Sequence, residues 1–287
     1  MFLADTWTDY EVLDTGDGEK LERWGNILLR RPDPQVIWPK TDEKQWQRAQ
    51  ARYHRSERGG GEWEYRESLP ERWTVSHRGL KFFVRPTGFK HTGLFPEQAA
   101  NWLWMGERLA ARGSAAPRVL NLFGYTGAAT AACIASGAFV THVDAAKGMV
   151  QWARENRDLN ALPEDKSRWI VEDVNRFVQR ELRRGSRYDG ILMDPPSYGR
   201  GASGEVWKLE NELYGLVDTA ARLLSERPLF FLVNSYTTGF QASVLGNILE
   251  KTVVGRFGGR VVADELCLPV TSGGVLPCGA SGRWEHD

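Results

Sequence analysis

Three aspartates, Asp144, Asp173 and Asp194, each stand just beyond a short apolar run, and a glycine turn, Gly124-Tyr125-Thr126-Gly127, follows another. A carboxylate at the end of a covered strand costs several kcal/mol unless it has partners. A single such residue is explained by a helix N-cap. Three of them in one alternating pattern of strands and helices point instead to a crevice that binds a ligand. Gly124 and Asp144 lie twenty residues apart, the spacing at which an acidic side chain meets a ribose in a βαβ nucleotide-binding unit.

The elements that must position these residues follow from the hydrophobic pattern. Residues 118–145 read as strand, turn, helix and strand: an apolar run through Leu122 and Phe123, small residues from Ala128 to Ser136, and Phe139–Val143 leading to Asp144. Gly137 sits where a left-handed C-cap belongs. Lys147–Leu159 and Val174–Leu182 carry helical periodicity, and Arg168–Val171, Tyr188–Met193 and Leu229–Val233 read as strands. A long helix is expected to begin near Val206 and run to Leu223, and another spans Phe240–Val253. Arg260–Pro269 and Leu276–Trp284 form a closing antiparallel pair. Such a succession builds a doubly wound α/β sheet with its ligand beyond the C-terminal strand ends.

The ligand is constrained by what the turn lacks. Gly-Tyr-Thr-Gly is not GxGxxG, and the chain has no GxxxxGK[ST], so neither a dinucleotide cradle nor a triphosphate loop is present. A cofactor with a ribose and no phosphates fits, S-adenosylmethionine foremost. The turn is expected to meet its methionine end through backbone groups, Asp144 its ribose hydroxyls, and Asp173 its adenine amino group. Asp194 is followed by Pro195-Pro196-Ser197-Tyr198. Its carboxylate and the Pro195 carbonyl can accept hydrogen bonds from an amino group, Tyr198 can stack, and the proline pair stiffens the loop.

Residues 1–88 have a different texture, expected to form a small β-rich domain with a possible substrate-binding role, ahead of a catalytic domain at 89–287. Tyr10–Leu13, Ile27–Leu29 and Val36–Trp38 read as strands. A helix is expected from Thr41 through Trp46, Ala49 and Tyr53 to the glycines at 59–61. Between Lys40 and Lys90 twelve Lys and Arg face seven Asp and Glu, with tryptophans and tyrosines interleaved. That mixture suits either a nucleic-acid surface or a solvated face around a small aromatic core. The chain as a whole, 287 residues with 37 basic and 37 acidic side chains, has no net charge to attract a polyanion. Cys133, Cys267 and Cys278 form no CxxC pair, which argues against a zinc site and fits a reducing compartment. No apolar stretch approaches a membrane span, and the N-terminus lacks the features of a signal peptide. A cytoplasmic protein is expected, without metal or membrane partner. In the loop before the helix that starts near Pro96, Lys90 and His91 either line a site, as such loops often do, or, in the case of His91, form ordinary loop surface.

Taken in order, NLFGYTG, VTHVDA, VEDV and DPPSYGRG resemble motifs I to IV of class I S-adenosylmethionine-dependent methyltransferases. The likeness is to the bacterial 23S (large-subunit) rRNA methyltransferase branch, where a TGLFLDQR stretch similar to HTGLFPEQ precedes the core. It covers residues 88–287. The resemblance implies a Rossmann-like seven-stranded sheet with an antiparallel last strand, methyl transfer, S-adenosylhomocysteine as product and an RNA partner. It further implies cofactor contacts from Lys90, Thr92, Leu94 and Phe95 ahead of the core, and from Phe123, Gly124, Tyr125, Thr126 and Gly127 in the turn. Asp144 with Ala145, Asp173 with Val174, and Asp194 complete that set, while Asp194, Pro195 and Tyr198 serve the acceptor. Two departures bear on mechanism. No cysteine follows the fourth or fifth strand, so a covalent cysteine intermediate is not expected. Ser197 takes the aromatic position of the [DN]PP[YFW] pattern, so the acceptor atom stays open. A protein or small-molecule acceptor, or a non-catalytic nucleotide-binding role, are the alternatives.

Overall fold

A computed structural model of the chain describes residues 1–56, 60–113, 116–200 and 206–286. Gly59 and Gly201, singled out above, lie outside the described residues. The chain folds as two compact units, residues 2–100 with 267–278, and residues 101–266 with 279–287.

In the first unit, after the two-residue β1 (Phe2–Leu3), five strands and a helical turn follow in order: β2 (Tyr10–Gly16), β3 (Glu19–Trp24), β4 (Ile27–Pro32), α1 (Glu43–Trp46), β5 (Ala51–Arg55) and β6 (Gly61–Tyr65). The sheet order is β2-β3-β4-β5-β6, with only β4 and β5 parallel. β7 (Trp73–His77) and β8 (Leu80–Val84) form a separate hairpin. The two-residue turns Asp17-Gly18 and Arg78-Gly79 have positive φ at both positions, the geometry that matches the twist of paired strands.

Three expectations for this region are corrected. The helix from Thr41 stops after one turn at Trp46, because the Trp46 indole donates to the buried Asp14 carboxylate at 2.7 Å and packs with Leu21 and Ala49. Tyr53, placed in that helix, lies instead in β5, where Ala51 and Tyr53 point inward and Arg52 and His54 outward with period two. Val36–Trp38 forms no strand. Its carbonyls cap the Asp17-Gly18 turn, Gly18 N–H donating to Val36 and Asp17 N–H to Trp38. A strand that the pattern hid is β3, Glu-Lys-Leu-Glu-Arg-Trp. Its Glu22 is fully buried and accepts two bonds from Arg31 on β4, at 2.6 and 2.7 Å, and one from Tyr10 on β2 at 2.6 Å.

α2 (Ala99–Ala111) follows a 3₁₀ turn at Pro96–Gln98 in the first unit and belongs from Asn101 on to the second, which then carries β9 (Arg118–Leu122), α3 (Ala128–Ala135), β10 (Phe139–Asp144) and α4 (Lys147–Leu159). Next come β11 (Ser167–Val171), α5 (Val174–Arg183), β12 (Gly190–Met193), β13 (Tyr198–Arg200), β14 (Val206–Lys208), α6 (Leu209–Ala221) and β15 (Phe230–Ser235). α7 (Ala242–Leu249) runs through a π turn at Glu250–Val254 into α8 (Gly255–Phe257), and β16 (Arg260–Pro269) and β17 (Val275–Glu285) end the chain. The sheet order is β16-β17-β15-β12-β9-β10-β11, the expected seven strands, with the two-residue β1 as an eighth beside β16. β11, β10, β9, β12 and β15 are parallel, and β17 runs antiparallel to β15. One face packs Leu120, Leu122, Val143, Ile191, Met193, Phe231 and Val233 against α5, α6 and α7. The helix expected from Val206 begins at Leu209. Residues 206–208 pair with 198–200 because Trp207 packs on Phe123, with ring centroids 5.6 Å apart, and donates to the Pro196 carbonyl at 2.6 Å.

Glu22 illustrates what stabilises the first unit. Burial pushes its carboxyl up, but the charges of Arg31 and Lys20 and the bonds from Arg31 and Tyr10 override that and hold it at about 2. A depressed carboxylate stabilises the fold above its ordinary value of 4.5, and the gain is lost as the pH falls toward 2. Glu22→Gln, which leaves the Arg31 guanidinium buried without its partner, is expected to cost about 3–5 kcal/mol in urea unfolding at pH 7. The difference from the parent protein should shrink steadily below pH 4.5. A pH-independent difference would assign the loss to packing.

Candidate active site

The strand order winds outward from β9 in both directions, which opens a crevice beyond the C-terminal strand ends. Asp144 closes β10, Asp194 follows β12, and these strands are the two neighbours of β9. The two carboxylates therefore stand about two strand spacings, roughly 10 Å, apart. Asp194 N–H donates to the Leu122 carbonyl at 3.3 Å and Gly124 N–H to Val143 at 3.0 Å, so the loops after β9, β10 and β12 are tied at their roots.

The glycine turn is shaped by close approach. Phe123, Tyr125 and Gly127 have φ of +57°, +51° and +80°, a succession that folds the chain back on itself. A Cβ on Gly127 would lie 2.6 Å from the Ala153 methyl of α4. A Cβ on Gly124 would lie 2.3 Å from Cε1 of His142. The backbone at Gly124 thus rests on the imidazole. Beneath it Asn121 Nδ2 donates to Thr130 Oγ1 at 2.9 Å, and Thr130 Oγ1 lies 2.9 Å from His142 Nδ1. Burial holds His142 at about 3, so the ring is neutral. The Thr130 hydroxyl, with one donor and two lone pairs, bridges the Asn121 amide and the His142 ring, whose Nε2 is buried with no hydrogen-bond partner among the described residues. This three-residue chain joins the strand before the turn, the helix after it and the strand that ends in Asp144. None of the three stands out in the sequence, although a histidine in the apolar run VTHVD is a signal of a buried polar contact.

Asp144 is the hinge of the arrangement. Its Oδ2 accepts from Tyr125 N–H at 2.9 Å and its Oδ1 from Ala146 N–H at 2.8 Å. Burial raises its carboxyl above the ordinary value, and the two amide bonds pull it part of the way back. Each oxygen keeps acceptor capacity for a hydroxyl. The amides of Gly124, Tyr125 and Gly127 all have protein acceptors, and the Thr126 carbonyl accepts from Asn156 at 2.8 Å. The turn therefore offers shape more than a row of open amides.

Asp173 is exposed and caps α5, accepting from Arg176 N–H at 2.9 Å through one oxygen. Val174 is buried in the core, so its side chain faces α6 and the sheet rather than solvent. Ala145 is exposed beside Asp144. Pro195 is buried, and among the described residues no protein group donates to its carbonyl; Tyr198, on β13, leaves 52% of its surface exposed. Ser197 is fixed by Thr237, which donates to its hydroxyl at 2.6 Å, and by its carbonyl, which accepts from Leu209 N–H. Lys90, Thr92, Leu94 and Phe95 belong to the other compact unit. There Thr92 and Leu94 are buried, and the Phe95 ring meets His91 at 5.2 Å.

Gly124→Ala drives a methyl group into the His142 ring and is expected to weaken S-adenosylmethionine binding about 5- to 100-fold by calorimetry, the range typical of overpacking. The double variant Gly124→Ala/His142→Ala removes the obstacle and should recover part of that loss. Wild-type affinity in the single variant would show that the turn does not carry the cofactor.

Known proteins resemble this chain in sequence and in fold. The profile of a family described as S-adenosylmethionine-dependent methyltransferase matches residues 33–213. A crystal structure of a SAM-dependent methyltransferase from Agrobacterium tumefaciens superposes with a TM-score of 0.94 at 37% identity, over 99% of this chain and 93% of that one. The ribosomal RNA large subunit methyltransferase K of Neisseria meningitidis serogroup B is 28% identical over 190 residues, 65% of this chain and 52% of that protein. The methyltransferase K/L of Syntrophotalea carbinolica is 28% identical over 184 residues, 63% of this chain and 25% of its own length. The chain thus spans about half of the first of these curated relatives and a quarter of the second. Among the described residues no His, Cys, Asp and Glu cluster forms a metal site, and no helix is long and apolar enough to cross a membrane. With its family profile matched over most of its length, its sheet order and its strand-end carboxylates, the chain belongs to the S-adenosylmethionine-dependent methyltransferases.

Proposed function

We propose that this methyltransferase acts on a base of large-subunit ribosomal RNA, without a covalent cysteine intermediate. The names of its curated relatives support the acceptor class. The observation that carries the site is the juxtaposition of a ribose-type carboxylate, Asp144, with the Asp194-Pro195 pair two strands away, its Pro195 carbonyl accepting from no described protein donor. A turn closed to Cβ atoms at Gly124 and Gly127, and a strand-end acid with remaining lone pairs, fit a ribose-bearing cofactor.

When bound, S-adenosylmethionine supplies a methyl group already activated on a sulfonium. The chain's own residues then have to align and orient, because an in-line displacement gains most from holding the nucleophile in place. Asp144 accepts the ribose hydroxyls. Asp173 offers the oxygen its cap leaves to the adenine amino group. Asp194 and the Pro195 carbonyl accept from the acceptor's N–H and aim its lone pair, and Tyr198 provides a stacking face for a base drawn out of structured RNA. The cysteines stand aside from this chemistry: Cys133 is buried in α3 and pushed up to about 12, and Cys267 is buried in β16. Residues 1–88 are proposed to contribute to substrate binding, and an rRNA acceptor places the reaction in the cytoplasm.

Incubation with labelled cofactor and RNA from a strain lacking the gene tests the acceptor. Label should enter large-subunit RNA; label confined to protein or small molecules would reject RNA. Asp194→Ala should lower transfer at least about 100-fold, the scale of a misaligned nucleophile, while calorimetric S-adenosylmethionine affinity stays near wild type. Unchanged turnover would remove Asp194 from the alignment.

A further inference from the structure

The face of the catalytic sheet turned away from α5, α6 and α7 meets α2, where the Trp104 ring lies 5.7 Å from that of Phe230 on β15. Four buried polar side chains gather there: Asn101 on α2, Asn234 on β15, and Ser281 and Arg283 on β17. Arg283 Nε donates to Asn101 Oδ1 at 2.8 Å, with its guanidinium 5.3 Å from the Trp104 ring. Asn101 Nδ2 donates to Asn234 Oδ1 at 3.1 Å, and the Ser281 hydroxyl donates to the same oxygen at 2.9 Å. A guanidinium has donors and no acceptor, so it dictates which way each amide turns. Asn101 must face Arg283 with its oxygen and Asn234 with its NH2 group. Asn234 must in turn present its oxygen to Asn101 and Ser281. That oxygen is engaged on the α2 and β17 side, and the Nδ2 edge is left for the opposite flank.

The opposite flank of β15 is β12. Met193 pairs with Val233, and both side chains enter the core against α5, α6 and α7. One residue further along each strand, Asp194 and Asn234 fall side by side on the other face, one strand spacing or about 5 Å apart. The chain after Asn234 is braced to the same loop, because Thr237 donates to the Ser197 hydroxyl at 2.6 Å. On its other side the Tyr236 ring lies on Gly279 of β17, where a Cβ would come within 2.8 Å of it. The end of β15 is thus held from both flanks. An amide of fixed polarity beside a carboxylate is placed for a charge-assisted hydrogen bond.

We propose that Asn234 is a positioning residue for methyl transfer: its Nδ2 donates to one oxygen of Asp194 and leaves the other turned to the acceptor. The positioning role rests on the reading above in which Asp194 aligns the acceptor; the contact between the two side chains does not. Asn234→Asp, Asp194→Asn and the exchange Asn234→Asp/Asp194→Asn are compared in the full chain at pH 7. Asn234→Asp keeps an oxygen for Asn101 and Ser281 but sets a second carboxylate against Asp194. The exchange restores one donor and one acceptor with their places reversed. It should melt about 2–4 °C above the value that the two single shifts sum to. If Asn234→Asp alone fails to fold, restored folding in the exchange is the supporting result. Additive shifts, or an exchange that also fails to fold, overturn the contact. The role is read with labelled S-adenosylmethionine and large-subunit RNA from a strain lacking the gene. Asn234→Asp should lower kcat about 10- to 100-fold, while calorimetric S-adenosylmethionine affinity stays near wild type. An unchanged kcat overturns the positioning role. A wild type that labels no RNA while the pair remains coupled rejects the RNA acceptor and keeps the contact. Unchanged turnover in Asp194→Ala with a coupled pair rejects the alignment by Asp194, and the positioning role with it.

Discussion

The bond between the Asp144 carboxylate and the Tyr125 amide is the contact on which the catalytic unit depends. It joins the end of β10 to the turn after β9, and it puts one acid at the centre of the crevice with its second oxygen fastened to the start of α4 through Ala146. A carboxylate there would be a liability in an apolar setting. Here two amides supply part of what water would have given, so the group stays anchored yet keeps lone pairs for hydroxyls. Move Asp144 and the turn loses its outer tie; open the turn and Asp144 loses a donor. The geometry is mutual, and it is set before any ligand arrives.

Under the turn, the Asn121–Thr130–His142 chain does the complementary work from the buried side. Gly124 approaches His142 so closely that no side chain fits between them, which explains a glycine whose φ does not demand one. Burial holds the imidazole at about 3, so at neutral pH this ring adds no charge to the floor of the crevice. The DPP loop is held differently, by Trp207 against Phe123 and Pro196 and by Thr237 against Ser197. One wall of the crevice is thus braced by a polar chain within the sheet, the other by aromatic packing outside it.

Much of the catalytic unit was legible because its signals are local. A parallel sheet buried on both faces writes its strands as continuous apolar runs and places its functional residues at their ends. The helical periodicity of Lys147–Leu159 matches α4 to the residue. What stayed hidden depends on contacts distant in sequence. β3 looks like a charged surface segment until Glu22 meets Arg31 and Tyr10, and Glu19 meets Arg30 and Arg52. The helix expected after Thr41 was stopped by Asp14, nearly thirty residues upstream, and Val206–Lys208 was drawn into a hairpin by Trp207. The polar chain under Gly124 was hidden because His142 sits in an otherwise apolar strand, where its partners come from other elements.

The Glu22–Arg31 pair also constrains how this sequence can drift. Each residue is buried, and each would be left as a lone charge by loss of the other. Stepwise replacement therefore passes through an intermediate that folds poorly, and descendants of this chain should keep both or exchange both together, with Tyr10 following. A three-position covariation in the first unit would then mark the lineage more durably than any surface feature, even where the crevice itself has been turned to a different acceptor.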